Sequence, residues 1–381
     1  MGGKKTYDGE EANMAKKAKV AKAKIKTSKV KSTKLKSVKA KSTRAKAIKA
    51  KPLKAKPTKA KAGKAKTIKS KASIFTPKKA KSARAKIAWP KKTREIHNHH
   101  MNSTVWNTFK FREDDIVVVT YAKSGTTWTQ QIIAQLIFNG AEDLDVHSLS
   151  PWVDLRIIPP EVIAGLEQQT HRRFVKTHLP VDALVFSPKA KYIFIGRDGR
   201  DAAWSLFNHH ANATDDYFNA FNNAPGWVGP ALERGSGDVH EFYASWFSGN
   251  GYPYWPVWEN ILSWWNIRKL PNVKLIHFND MKTDLVSSIR EIAAFLEIPI
   301  DEAKFPKIVE HCTFDYMKAH ADMVAPRGGI MWNGGAKTFI NKGTNGRWRD
   351  TLSAAEVAAY DAKAVKELGP ACAKWLAQGN A

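Results

Sequence analysis

Cysteine is nearly absent, with only Cys312 and Cys372 in 381 residues. Two thiols build neither a disulfide framework nor a thiolate metal cluster, and their scarcity suits a reducing compartment. Long apolar runs are missing too. No stretch reaches the roughly 18 apolar residues a membrane span requires, so none is expected. The charged N-terminus has no apolar h-region of the kind a secretory signal carries, and a cytoplasmic protein is expected. Acid is scarce at the start: residues 1–95 hold 4 of the 35 Asp+Glu but 34 of the 62 Lys+Arg, a net of +30. Residues 96–381 come to −3, so the overall +27 belongs to the tail. The remainder of the chain suffices for one α/β domain with a sizeable core.

The tail repeats in fives between about Lys16 and Ala72, as in Lys31-Ser32-Thr33-Lys34-Leu35 and Lys36-Ser37-Val38-Lys39-Ala40. A period of five does not gather lysines on one helical face. Self-repulsion, few large apolar residues, and Pro52, Pro57 and Pro77 predict disorder. The segment resembles the tails of linker histones and of histone-like bacterial proteins. Its charge suits a polyanion, either nucleic acid, an acidic glycan or an anionic surface, and would allow nuclear or nucleoid association. The competing reading is a solubilising extension without a partner. The expected division is a disordered tail over 1–95 and a catalytic domain over 96–381. His97, His99 and His100 fall at the junction, where they read as solvated.

The globular part is organised around Tyr121-Ala122-Lys123-Ser124-Gly125-Thr126-Thr127-Trp128. An apolar, β-branched run, Ile116 to Thr120, precedes it. Trp128, Ile132, Ile133, Leu136 and Ile137 follow at helical spacing. That is strand, tight loop, helix. The amides of a helix N-terminus are unpaired and carry partial positive charge; small residues let an anion reach them, and a lysine adds a full charge. The loop therefore suits phosphate or sulfate. It is not the G-x-x-x-x-G-K-[ST] loop of nucleotide triphosphatases, because Lys123 precedes Gly125. Three more strands are expected: Arg173–His178, Lys191–Ile195 and Val273–Phe278. The third strand leads through Arg197 into a helix from about Arg200 to His209. Alternating strands and helices predict a parallel sheet with ligands at the strand carboxyl ends, where Lys123, His178 and Arg197 fall. Trp106, Phe109 and Phe111 should pack at the sheet edge. The aromatics of 242–265 read mainly as core, with the Gly249–Pro256 turn able to line an acceptor pocket. The Gly-rich stretch from Arg327 to Gly346 reads as a loop closing over a ligand.

Four ordered segments carry a family resemblance. Residues 121–128 resemble Y-P-K-S-G-T-T-W, the 5′-phosphosulfate-binding loop of the soluble sulfotransferases, with Ala122 in place of Pro. Lys176-Thr177-His178-Leu179-Pro180 resembles the family's K-T-H-L-P, which carries its catalytic histidine. Tyr192 to His209 resembles its 3′-phosphate motif, with Arg197 and Ser205 in matching places. Phe339 to Trp348 resembles F-x-R-K-G-x-x-G-x-W. There Asn341 stands for the first Arg, Lys342 and Gly343 match, and Arg347 falls where Asp is frequent.

The resemblance implies a three-layer α/β domain with a parallel sheet, related to the P-loop NTPase architecture. It implies 3′-phosphoadenosine 5′-phosphosulfate (PAPS) as donor, a small-molecule, glycolipid or glycan hydroxyl as acceptor, and no metal. His178 would take the acceptor proton, Lys176 would sit beside the transferring group, and Lys123 with Ser124, Gly125, Thr126 and Thr127 would hold the departing phosphate. Trp128 and Phe314 would clamp adenine, with Cys312 and Thr313 beside it and Phe278 where the family often has Tyr. Two other classes stay open: a nucleotide kinase, which would need the triphosphatase loop order, and a catalytically inactive nucleotide- or polyanion-binding protein.

Charge segregation makes the tail testable. The full chain should bind duplex DNA with a log–log salt slope of about −0.9 per phosphate neutralised, and steeper than about −5 in total. A chain starting near His97 should lose that binding and keep its turnover. Equal DNA affinity with and without residues 1–95 would make the tail a solubilising extension.

Overall fold

Apolar, largely β-branched runs form β1 (Ile116–Thr120), β2 (Phe174–Thr177), β3 (Lys191–Gly196) and β4 (Val273–His277). The computed structural model describes residues 87–226 and 228–380, and the repeats of the tail lie outside them. The strands pair in parallel in the order β2-β1-β3-β4. Every residue of β1 and β2 is buried, as expected of a parallel sheet covered on both faces.

Side-chain alternation assigns the two faces. Val117, Val119, Tyr192 and Phe194 pack with Leu206 of α2 (Gly199–Ala211), Trp246 of α3 (Val239–Ser248) and Trp264 of α4 (Val257–Asn266). Ile116, Val118, Ile193 and Ile195 pack on the other side with Ile132 and Ile133 of α1 (Thr126–Ile137) and with Ile289 and Ile292 of α5 (Leu285–Leu296). Two C-terminal helices, α6 (Ala354–Leu368) and α7 (Pro370–Gln378), join the first layer through Tyr360 and Trp375. The expected three-layer α/β fold is what forms. From β1 the chain passes to β2 on one side, then crosses to β3 on the other. The crevice at the carboxyl ends of these strands is where such sheets bind ligands.

The strand boundaries differ at two places. Arg173 and His178 fall just outside β2, and Phe278 opens a short helix, Phe278–Thr283, instead of closing β4. His277 ends the strand by capping that helix, its Nδ1 accepting from the Asn279 amide at 3.2 Å. Ordered packing also reaches back before residue 96. Trp89 stacks on Phe186 with ring centroids 6.1 Å apart, and the amides of Thr93 and Arg94 donate to the Asp182 carbonyl at 2.8 and 3.2 Å. A truncation meant to spare the domain should therefore begin ahead of Ile87.

Trp106, Phe109 and Phe111 cluster beside the edge strand as expected, with centroid distances of 4.8–5.8 Å. The Arg173 guanidinium lies over Phe109 and grips Asp115 through two hydrogen bonds of 2.9 and 2.6 Å. Both partners are about 1% exposed. Removing one partner of such a pair leaves a buried charge uncompensated. Glu167, half-exposed, also reaches Arg173 Nη1 at 3.2 Å and would offset part of that loss, so Asp115→Ala should lower unfolding free energy by up to about 3 kcal/mol, read from urea-denaturation midpoints; a loss below about 1 kcal/mol would contradict this.

Candidate active site

The loop after β1 turns sharply into α1. Lys123 has φ 62° and Gly125 φ 114°, the left-handed conformations such a turn needs. A Cβ on Gly125 would also lie 2.9 Å from the Phe278 ring. No side chain caps α1, so the amides of its first turn are left for an anion. The loop opens on a cavity of about 600 Å³.

Most expected site residues line this cavity. From the loop come Lys123, Gly125, Thr126, Thr127 and Trp128; from the ends of β2 and β3 come Lys176, His178 and Arg197. Ser205 of α2 and Phe278 join them. The later segments contribute Thr313, Phe314, Asn341, Lys342 and Gly343. Two expected residues do not reach it. The Ser124 side chain is buried away from it, and the Cys312 thiol packs in the core against α1 and α5. Cys312 acts through its carbonyl instead, which accepts the Trp128 indole N–H at 2.7 Å and so orients that ring. The Gly343 backbone packs close against the Phe314 ring, where a Cβ would come within 2.6 Å.

His178 is held by its Nδ1, which lies 2.8 Å from the Thr120 carbonyl oxygen. A carbonyl only accepts, so Nδ1 donates and the lone pair belongs to Nε2. Trp152 meets the ring edge-on at 4.6 Å, and Asn260 donates to the His178 carbonyl at 2.8 Å. Burial and the charge of Lys176 push the imidazole down to about 3, so it is neutral.

Cations gather without matching anions. Burial, then the charges of Arg197 and Lys176, push Lys123 down to about 7. Burial brings Lys176 to about 8, against the pull of Asp154. The same effect brings Arg197 to about 10, despite Asp201 and Asp198.

Several lining residues carried no signal in the reading of the sequence. His209 lies one helical turn beyond Ser205 on α2, a spacing that places both on one face. Its Nδ1 is 3.4 Å from the Lys123 ammonium, which also lies 4.4 Å from the Phe339 ring centroid. His100, expected to be solvated, is 3% exposed: it stacks on Phe221 at 4.0 Å and meets the Tyr217 hydroxyl at 2.9 Å. His99 is buried too, its Nε2 2.6 Å from the Pro253 carbonyl. Those rings take the place of water because the chain before β1 folds back over the cavity wall. Tyr254 and Trp255 line the cavity as the Gly249–Pro256 turn suggested. Trp152, Tyr217, Phe221, Trp255, Met331 and Trp332 give the cavity an aromatic wall, of which Trp152 and Trp255 lie 4.6 and 5.3 Å from the His178 ring.

A cation-lined helix N-terminus beside a neutral histidine with a free lone pair suits an anionic ligand. Residues 113–369 match the family model of the sulfotransferase domain. The glycolipid sulfotransferase of Mycobacterium bovis (strain BCG) is 32% identical over 304 residues, spanning 72% of this chain and 91% of that protein. Mouse sulfotransferase 1B1 is 28% identical over 299 residues, 74% of this chain and 93% of that one. Among solved structures, mouse sulfotransferase SULT7A1 complexed with PAP shares the fold with a TM-score of 0.55 at 24% identity, over 72% of this chain and 91% of that one. The chain belongs to the sulfotransferase domain family and is a sulfotransferase. Among the described residues no helix is long and apolar enough to cross a membrane.

The lowered lysine has a measurable consequence. Below about pH 7 Lys123 is charged, and above it the charge is lost. Affinity for a 5′-phosphorylated nucleotide should fall as pH rises from about 6 to 8.5, and Lys123→Arg should flatten that dependence because a guanidinium stays protonated. Titration calorimetry across this range checks it; a wild-type affinity indifferent to pH would remove Lys123 from the anion site.

Proposed function

We propose that the chain transfers a sulfuryl group from PAPS to an acceptor hydroxyl, with His178 as general base. The supporting observation is that the lone pair on His178 Nε2 opens on the same cavity as Lys123 and the uncapped start of α1. The acceptor O–H gives its proton to Nε2 as its oxygen bonds to sulfur. The bond from sulfur to the 5′-phosphate oxygen breaks, and that oxygen keeps the electron pair. The charge that develops there is met by the Lys123 ammonium and by the amides of Gly125 to Thr127, donors already oriented for it. Lys176 lies beside the same histidine and steadies the sulfuryl oxygens. Trp128, Phe278 and Phe314 offer faces for adenine, and Arg197 and Ser205 offer donors to the 3′-phosphate.

The aromatic wall beside His178 excludes water from the reacting atoms and suits the apolar part of an acceptor. The name of the mycobacterial relatives brings glycolipids into the acceptor class, alongside phenols, steroids and glycans. The basic residues 1–95 would hold polyanions independently of this chemistry.

Labelled PAPS offered to a panel of such acceptors reads the reaction directly. His178→Ala should cut turnover by roughly 10²–10⁴ while adenosine 3′,5′-bisphosphate binds as in the wild type. Turnover within about a factor of two of wild type would exclude His178 as the base.

A further inference from the structure

Two guanidiniums line the cavity near Ser205, and they differ in what they have left to give. Arg197 is largely committed to protein. Its Nη1 donates to the Lys123 carbonyl at 2.8 Å, its Nε and Nη2 both reach Asn345 Oδ1 at 3.1 and 2.7 Å, and Nη2 also meets the Thr344 carbonyl at 3.3 Å. Of five N–H groups, one remains. Its face is taken by Phe278, 4.4 Å from ring centroid to guanidinium.

Arg347 is in the opposite condition. Among the described residues its one hydrogen bond is a long contact of 3.4 Å from Nη1 to Asn341 Oδ1. Its Nε and Nη2 edge, the pair a phosphate engages bidentately, is unspent. The guanidinium lies 5.3 Å from the ring centroid of Trp204, the residue before Ser205 on α2. The backbone that carries it is pinned, because the Gly346 amide donates to Asp201 Oδ1 at 2.7 Å. Trp204, Ser205, Asn341, Lys342 and Arg347 all line the cavity.

We infer that Arg347 is a further ligand of the donor's 3′-phosphate beside Arg197 and Ser205, presenting the unspent fork that Arg197, with one N–H left, lacks. The assignment rests on the PAPS reading above. In this division Arg197 braces the 5′-loop against the Thr344–Asn345 segment and keeps one N–H for the 3′-phosphate, and Arg347 adds the forked contact. Asn341 lends it an oxygen without competing charge. The contribution of Arg347's charge is felt by its neighbour, since it joins burial in lowering Arg197.

Calorimetric titration of the full chain with adenosine 3′,5′-bisphosphate and with adenosine 5′-monophosphate tests this. Arg347→Gln should weaken the bisphosphate roughly tenfold to a hundredfold and leave the monophosphate within about twofold. Arg347→Lys, which keeps the charge but not the fork, should recover part of the loss. Monophosphate binding also reports that the variants are folded. If the wild type prefers the bisphosphate and Arg347→Gln keeps that preference, this assignment is wrong and the donor reading stands. Equal losses for both nucleotides likewise overturn it. A wild type indifferent to the 3′-phosphate overturns the donor reading, and this assignment with it.

Discussion

The site depends on keeping cations together, out of water, with too little anion to match them. Lys123, Lys176 and Arg197 are all shifted toward their neutral forms, and burial is the largest cause in each case. Left alone, such groups would turn outward to solvent. They stay because the backbone leaves them no route. Lys123 is in a left-handed turn between a fully buried strand and a helix, and Arg197 is fastened to the carbonyl of Lys123 itself. An anion entering here recovers interactions the folded chain has already prepared, so little reorganisation is left to the moment of reaction.

The sheet supplies the rigidity this requires. Alternating residues of β1 and β3 reach into two separate apolar clusters, so the strand ends cannot shift without disturbing both layers. Close backbone approach does the rest. Phe278 packs against Gly125, and Phe314 packs against Gly343, each at a distance that a Cβ would occupy. These cavity-lining aromatics are thereby set by the loops that carry the charge.

Much of this was legible in the residues. The β-branched runs before Lys123, Thr177 and Gly196 announced the strands, and Lys123, His178 and Arg197 followed them at the rim where a parallel sheet binds ligands. What escaped had non-local causes. His100 is a histidine beside other histidines in a charged stretch, and it is buried by residues distant in sequence, among them Trp152, Tyr217, Phe221 and Trp255. His209 was within reach, since the four-residue step from Ser205 puts both on one helix face. Cys312 matched by position yet contributes a carbonyl, a role no side-chain pattern reports. The strand limits at Phe278 were set by the His277 cap, a side-chain hydrogen bond that competes with the β ladder.

The proposed base, His178, is tied to the same balance of charge. With protein charges alone around it, His178 is driven down to about 3 by burial and by Lys176 and Lys123. Its lone pair is available at any ordinary pH, yet it accepts a proton reluctantly. The Thr120 carbonyl works in the opposite direction, favouring a protonated ring. A donor anion seated among the lysines offsets the charges that oppose protonation, and each unit of recovery in the imidazole is about 1.4 kcal/mol of added driving force. In the proposed reaction the cations that would grip the donor would therefore also set the strength of the base, and proton removal would be strongest with the sulfuryl group in place to receive the acceptor oxygen.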